Sequence, residues 1–68
     1  MSAYKIIEVV GTSPKSWEAA TEAAVSSAAS SLRNLRVAEV VTMDVTVGKN
    51  GKIKDYRVRV ALSFKYEV

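Results

Sequence analysis

The sequence predicts an α+β protein with the element order β-α-β-β, in which a three-stranded antiparallel sheet of strand order 1-3-2 carries one helix on one face. Three observations predict this fold. They are a β-branched segment at the N-terminus, an alanine-rich segment with helical spacing after it, and two alternating segments joined by Asn50-Gly51. The 68 residues are expected to form a single domain, 1–68, because domains seldom contain fewer than about 50 residues.

The N-terminal half of the chain is expected to form a strand and then a helix. Residues 3–10, AYKIIEVV, are rich in β-branched and aromatic side chains, and Gly11 is expected to end this strand. Ser13 is a suitable N-cap and Pro14 suits the first helical position, so a helix is predicted at about 14–33. Its apolar stripe is mainly alanine and comprises Trp17, Ala20, Ala24, Ala28, Leu32 and Leu35.

The C-terminal half is expected to form a hairpin. Strand two is predicted at about 36–47 and strand three at about 53–67, because apolar residues alternate along both. Asn50-Gly51 predicts a two-residue type I′ turn between them, since both central residues of that turn need a positive φ. The apolar faces coincide in the resulting register, which places Val45 opposite Tyr56, Met43 opposite Val58 and Val41 opposite Val60.

The predicted sheet has no cover on its second face. The single helix covers one face, whereas the other carries Arg57, Arg59 and Lys65. A chain below roughly 70–80 residues seldom supplies a sufficient core by itself. Without cysteine or histidine, this chain has neither a disulfide nor a Cys/His metal site to add. Self-association is therefore expected.

The composition also argues against catalysis. Because the chain has no cysteine and no histidine, a thiolate nucleophile and the usual general base are both missing. A Ser-His-Asp or Cys-His site cannot be built from it. We therefore expect a binding protein and not an enzyme, and any bound cation should be a hard one that prefers oxygen ligands.

Membranes and nucleic acids are not expected as partners. The apolar run near the N-terminus contains Lys5 and Glu8 and is too short for a signal peptide or for the ~20 residues of a membrane span, so the cytoplasm is the expected location. Residues 49–68 hold six basic and two acidic side chains, a balance that suits nucleic acid. The aromatic side chains of strand three, however, lie on the face opposite its arginines, so no base-stacking surface is predicted.

Three segments of the chain resemble one known family. They are YKIIEVVGTSPKSWEAA at 4–20, LRNLRVAEV at 32–40 and YRVRVALSFKYE at 56–67, and VVGTSPKSWEAA is the most specific stretch. In these segments the chain resembles the dodecins, small proteins that assemble into hollow spherical dodecamers. The resemblance covers nearly the whole chain. It implies a homododecameric shell that binds a small ligand or ion for storage or buffering.

Two positions separate this chain from the flavin-binding dodecins. Those proteins typically carry a tryptophan that stacks on the flavin at the position of Val37, and a glutamine that bonds the flavin at the position of Arg57. Valine has no ring to stack, and arginine cannot accept a hydrogen bond as glutamine does. At both positions the chain resembles the branch called calcium dodecins. The resemblance therefore implies calcium as the first candidate ligand, flavin (riboflavin or FMN) as the alternative, and a shell without a specific ligand as the second alternative.

The candidate metal ligands are three strand carboxylates, Asp44, Glu8 and Glu39. Ca²⁺ takes about six to eight oxygen ligands, which one chain does not offer, but one carboxylate on a three-fold axis becomes three. Asp44 is the first choice because it aligns with an acidic position in the calcium branch, and the alternative for it is an ordinary salt bridge. Glu39 interrupts an apolar row and is expected to pair with Arg36 or with an arginine of a neighbouring copy.

Three other side chains are expected first of all to have structural roles. Trp17 is expected to pack in the core or between subunits, and not to stack on a ligand. Arg57 and Arg59 are expected to pair with acidic side chains of another subunit. For symmetry-related copies of Arg57, an anion site is the alternative.

Overall fold

Three strands and one helix make up residues 3–66, the part of the chain that the computed structural model describes. In chain order they are β1 (Ala3–Ser13), α1 (Trp17–Ser31), β2 (Leu35–Val47) and β3 (Ile53–Tyr66). The strands form one sheet in the order β1-β3-β2, and β3 is antiparallel to both neighbours. This is the predicted fold. Residue 67, which was assigned to strand three from the sequence, lies outside the described residues.

Strand β1 continues past Gly11. It ends at Ser13, which lies opposite Tyr56, so the predicted end at Gly11 is wrong. Gly11 lies where α1 crosses β1. A Cβ atom on this residue would overlap the carbonyl oxygen of Ala20 and lie 2.9 Å from Ala24 Cβ. The glycine therefore permits a close approach of helix and strand, and it does not interrupt the sheet.

The helix begins at Trp17 with Ser16 as its N-cap, and not with Ser13 as predicted. The Ser16 hydroxyl accepts a hydrogen bond from the Ala19 amide at 3.0 Å. The Ser13 hydroxyl accepts from the Lys15 amide at 3.0 Å and closes a turn that precedes the helix. The predicted start was about one turn too early, because the chain keeps its sheet pairing through Ser13 and turns only afterwards.

The helix also ends earlier than the predicted residue 33. Its last residue is Ser31, and the Leu32 amide donates to the Ala28 carbonyl at 2.9 Å. Asn34 has a left-handed conformation, φ 61°, which asparagine tolerates better than most residues, and it leads the chain into β2. No helix in the described part of the chain is long and apolar enough to cross a membrane.

The hairpin between β2 and β3 closes with a three-residue loop instead of the predicted two-residue turn. The Gly48 amide donates to the Lys52 carbonyl at 2.8 Å, and the Gly51 amide donates to the Gly48 carbonyl at 3.0 Å. Within this loop only Gly51 has a positive φ, 77°. Asn50 therefore does not adopt the type I′ conformation, and the loop follows the three-residue pattern in which a glycine comes last.

The register near this loop is nevertheless the predicted one. A register shift between Thr46 and Val47 offsets the extra loop residue. The pairs beyond it are those expected from the apolar pattern, with Val45 opposite Tyr56 and Met43 opposite Val58.

A second register shift, at Val41, changes the face of the sheet toward which the preceding residues of β2 point. Val40 lies opposite Val60, so Val41 is an extra residue and the predicted Val41–Val60 pair is wrong. A one-residue shift moves the side chains beyond it to the other face of the sheet. Val37 and Glu39 therefore lie on the face that points away from α1.

The core is a thin layer between α1 and the middle strand. Its buried side chains are Ala20, Ala24 and Ala28 on the helix and Val58, Val60, Leu62 and Phe64 on β3. A helix of 15 residues is about 22 Å long. The molecule, by contrast, is 52 Å long. The helix therefore covers β1 and β3 and leaves much of β2 without a partner.

Candidate functional site

The sheet face that points away from α1, called the open face below, carries every candidate site residue. Val58, Val60 and Leu62 are buried against α1, so the β3 residues between them point the other way. Residues directly opposite each other in antiparallel strands share a face. The open face therefore contains Arg57 on β3, Glu8 on β1, and Val37, Glu39 and Asp44 on β2.

Asp44 and Arg57 form a two-point ion pair across β2 and β3. The two residues lie directly opposite each other. Arg57 donates from Nε to Asp44 Oδ1 at 2.7 Å and from Nη2 to Asp44 Oδ2 at 2.9 Å. This is the parallel geometry in which arginine binds a carboxylate most strongly. Both side chains remain accessible to solvent, 42% exposed for Arg57 and 53% for Asp44.

The ion pair changes the acid–base properties of both groups. Hydrogen bonds from Arg57 lower the pKa of the Asp44 carboxyl below its usual value of 3.8. A smaller desolvation effect opposes this change, and the positive charges of Arg57 and Arg59 support it. The carboxylate in turn raises the pKa of Arg57. Asp44 is therefore an anion at neutral pH, held by a permanently charged guanidinium.

A second, weaker ion pair joins β1 to β3. Arg59 Nη1 lies 3.4 Å from Glu8 Oε1, a single long contact. The two residues are diagonal neighbours, because Glu8 lies opposite Ala61. Arg57 and Arg59 thus each have an acidic partner in their own chain. Pairing with acidic side chains of another subunit stays a prediction.

Glu8 and Glu39 flank one residue of the middle strand. Both lie opposite Ala61, Glu8 from β1 and Glu39 from β2. Since neighbouring strands are about 4.8 Å apart, the Cα atoms of the two glutamates are about 10 Å apart. Within residues 3–66 no salt bridge to Glu39 is formed, so the pair predicted with Arg36 is absent. An arginine of a neighbouring copy remains the expected partner.

The three carboxylates do not form a metal site within one chain. Asp44 lies opposite Arg57, which is four residues along β3 from Ala61, a distance of about 13 Å. In the part of the chain that the structure describes, no three acidic side chains come close enough to hold a metal ion together. A cation at any of them needs oxygen ligands from another source, and further copies of the chain can supply these.

The two positions expected from the sequence to contact flavin also lie apart. Val37 lies opposite Ser63, six residues along β3 from Arg57, which corresponds to about 20 Å. The Val37 side chain is 54% exposed. The Arg57 guanidinium, by contrast, is bound to Asp44. A small ligand that contacts both positions must therefore take them from different copies.

Trp17 contributes to the site in a way that the sequence did not reveal. Its indole N–H donates to the backbone carbonyl of Asp44 at 3.2 Å. Its ring packs edge-on against Tyr56, with 5.0 Å between the ring centroids. Trp17 therefore holds the backbone of Asp44, while Arg57 holds its side chain. Only the helical spacing of Trp17 was visible in the sequence, because its partner on β2 is 27 residues away.

The sequence of the chain matches that of a protein family along almost its whole length. A family-wide sequence profile named Dodecin matches residues 3–67. The chain belongs to the dodecin family. The resemblance noted from the sequence is therefore confirmed, and so is the fold class, because solved dodecin structures superpose on this chain along its whole length.

Individual dodecins are similar to the chain at different levels. The calcium dodecin of Mycobacterium tuberculosis is 48% identical over 65 residues, which cover 96% of this chain and 90% of the relative. The dodecin of Thermus thermophilus is 41% identical over 64 residues, which cover 94% and 91%. The crystal structure of the calcium chelating immunodominant antigen, calcium dodecin, from M. tuberculosis, which has a novel calcium-binding site, superposes with a TM-score of 0.85 at 45% identity and covers 97% of this chain and 93% of that one.

Proposed function

We propose that this dodecin is a homododecameric shell that binds, stores and buffers a divalent cation, with calcium as the first candidate. The observation that carries the proposal is the 48% identity to a calcium dodecin, against 41% to the Thermus dodecin. Binding and release follow mass action, and the role requires no catalytic chemistry.

Apolar surface that a single copy leaves exposed supports assembly. Ile6 on the open face is 62% exposed, and Met43, on the helix side of β2 near the first turns of α1, is 57% exposed. The core of one copy is small, so contacts between copies supply the apolar burial that the chain lacks. Such contacts also protect the outer edges of β1 and β2, which no strand among residues 3–66 covers.

The carboxylates of the open face are the proposed cation ligands. Asp44 comes first, and Glu8 and Glu39 are secondary candidates. All three are exposed oxygen donors, the ligand type that Ca²⁺ takes in sets of about six to eight. Three copies around an axis present one carboxylate three times, which brings up to about six oxygens to one point.

Flavin binding is the alternative function. Val37 and Arg57 occupy the positions of the family's flavin contacts, and an exposed valine offers apolar surface to a flat ring. It lacks the aromatic face, however, whose stacking contributes about 0.5–1.5 kcal/mol beyond the buried area. The Arg57 guanidinium is also engaged by Asp44. A shell without a specific ligand is the second alternative.

Native mass spectrometry and calcium titration test the proposal. We expect a particle of about twelve times the 7.4 kDa chain mass. We also expect heat on titration with CaCl₂ and a lower melting temperature after chelation. A monomer at micromolar concentration contradicts the shell. A titration without heat, together with an unchanged melting temperature on chelation, contradicts calcium, and quenching of riboflavin fluorescence favours flavin.

A further inference from the structure

Every oxygen atom of Asp44 accepts a hydrogen bond within the chain. Arg57 occupies both carboxylate oxygens, at 2.7 Å and 2.9 Å. The Trp17 indole occupies the backbone carbonyl at 3.2 Å. A cation that binds the carboxylate at both oxygens must therefore take the place of the guanidinium.

We propose that Arg57 is an internal competitor of the divalent cation at Asp44, so that cation binding and the Arg57–Asp44 ion pair exclude each other. The inference rests on the proposed cation-binding function and names the residue that regulates that site. Arg57 acts through Asp44 and does not itself touch the cation. It is therefore a residue that sets affinity and selectivity, and not a ligand.

The surroundings of Arg57 allow this exchange. The side chain is 42% exposed, so the freed guanidinium moves into water without being buried unpaired. On its other side Arg57 lies opposite Thr12 of β1, whose side chain is exposed and offers a hydroxyl acceptor. The guanidinium can therefore turn from the β2 side to the β1 side of the same strand.

The competition has consequences for selectivity and for the empty shell. When a monovalent ion displaces the Arg57 guanidinium, one single positive charge replaces another, and the Asp44 carboxylate loses two hydrogen bonds. A divalent ion causes the same loss but brings twice the charge. Competition with arginine therefore favours divalent ions. In the empty state the guanidinium also neutralises Asp44, so copies of this carboxylate gathered around an axis do not repel one another. The shell then has no need of the cation to stay assembled.

The test is a calorimetric titration of the intact oligomer with CaCl₂ at constant ionic strength. Arg57→Gln is expected to bind Ca²⁺ about five-fold more tightly than the wild type, a change of the size expected when an exposed, well-formed ion pair no longer competes. Its melting temperature should also depend more strongly on calcium. Asp44→Asn should lose the site. Lys54→Gln removes the same charge from a nearby exposed position of β3 and is expected to leave the affinity unchanged.

Each outcome distinguishes the inference from the function on which it rests. If wild type and Arg57→Gln both fail to bind Ca²⁺, the cation-binding function is wrong and the inference falls with it. If wild type binds and Asp44→Asn does not, but Arg57→Gln binds equally or more weakly, only the competition is wrong. Binding that survives in Asp44→Asn also overturns it. Should Arg57→Gln fail to assemble, Arg57→Lys keeps the charge, gives up the paired hydrogen bonds, and is expected to bind about two-fold more tightly.

Discussion

Trp17 donates its indole N–H to the main-chain carbonyl of Asp44 at 3.2 Å, and so attaches the first turn of α1 to the strand that carries the principal candidate ligand. The same ring packs against Tyr56 of β3 at 5.0 Å. One side chain thus joins the helix to both strands of the hairpin near the loop. The position of Asp44 therefore depends on the helix as well as on the sheet.

Trp17→Phe tests this attachment. The substitution keeps an aromatic ring and removes the indole donor, so we expect a loss of about 0.5–1.5 kcal/mol in the free energy of unfolding. Thermal unfolding at a fixed protein concentration measures it. Trp17→Ala should cost more, because the ring contact is lost as well. Equal stability of Trp17→Phe and wild type would show that the indole hydrogen bond contributes nothing.

Gly11→Ala is expected to destabilise the chain by about 1–3 kcal/mol, because the new methyl group overlaps the Ala20 carbonyl and forces α1 away from β1. Gly48→Ala is the matched control. A Cβ atom there lies 3.4 Å from Asn50 Oδ1, the far end of a side chain, and meets no closer atom. Thermal melting of the two variants should separate them clearly, and similar losses would contradict the close helix–strand contact.

Ser16→Ala should cost about 1 kcal/mol, because the Ala19 amide loses its capping acceptor. Ser26→Ala changes the same residue type on the exposed side of α1 and should be neutral or slightly stabilising, because alanine is the better helix former. Denaturant unfolding of both variants measures the difference. If Ser16→Ala is as stable as Ser26→Ala, the N-cap assignment is wrong.

The contribution of the Asp44–Arg57 pair to stability should depend on pH in one direction only. Hydrogen bonds from Arg57 lower the pKa of Asp44 in the folded chain below the usual 3.8. The contribution of the pair to the free energy of unfolding is therefore fully present above pH 3.8. It is lost as the pH falls through the lower pKa of Asp44 in the folded state. The stability difference between wild type and Asp44→Asn should stay constant down to mildly acidic pH and shrink only below 3.8. A difference that disappears at higher pH would mean that the pair does not hold Asp44 ionised.

Val37→Trp combined with Arg57→Gln tests the account of flavin binding. Together the two changes restore the aromatic ring and the hydrogen-bonding amide typical of flavin-binding dodecins, so riboflavin should bind about three- to ten-fold more tightly than to the wild type. Quenching of riboflavin fluorescence gives the affinity. Val37→Leu enlarges the same side chain without a ring and should change little. An unaltered affinity in the double variant would mean that these positions do not form the ligand contact.

The element order and the strand order were predictable because they depend on patterns that extend over many residues. The alanine stripe and the alternation in β3 each contain enough positions to survive local errors. Element ends depend on single contacts, and these were missed: Ser13 stays in the sheet because it pairs with Tyr56, which leaves the cap to Ser16. No local pattern could reveal that pairing.

The sequence selected candidate site residues but did not predict how they are arranged. The sequence selected Asp44, Glu8 and Glu39 as ligands, and all three lie on the open face. It did not predict that Arg57 would bind Asp44 in the same chain, nor that Glu8 and Glu39 would flank Ala61. The register predicted for the hairpin already places Asp44 opposite Arg57, but alternation does not show which ion pair the side chains form. The position of Glu39 opposite Ala61 depends on the extra residue at Val41, which alternation alone does not encode.

The extra residue at Val41 decides which side chains of the outer half of β2 reach the open face. In an unbroken alternation Val40 and Ala38 would share the face of Thr42, whereas with the extra residue Glu39 and Val37 take that face. Deleting this single codon would remove the bulge but keep the pairs beyond it, because Val40 would be joined directly to Thr42 and still lie opposite Val60. A chain that is one residue shorter at this point would therefore present the same side chains to a neighbouring copy or a ligand, with a regular ladder in place of the bulge.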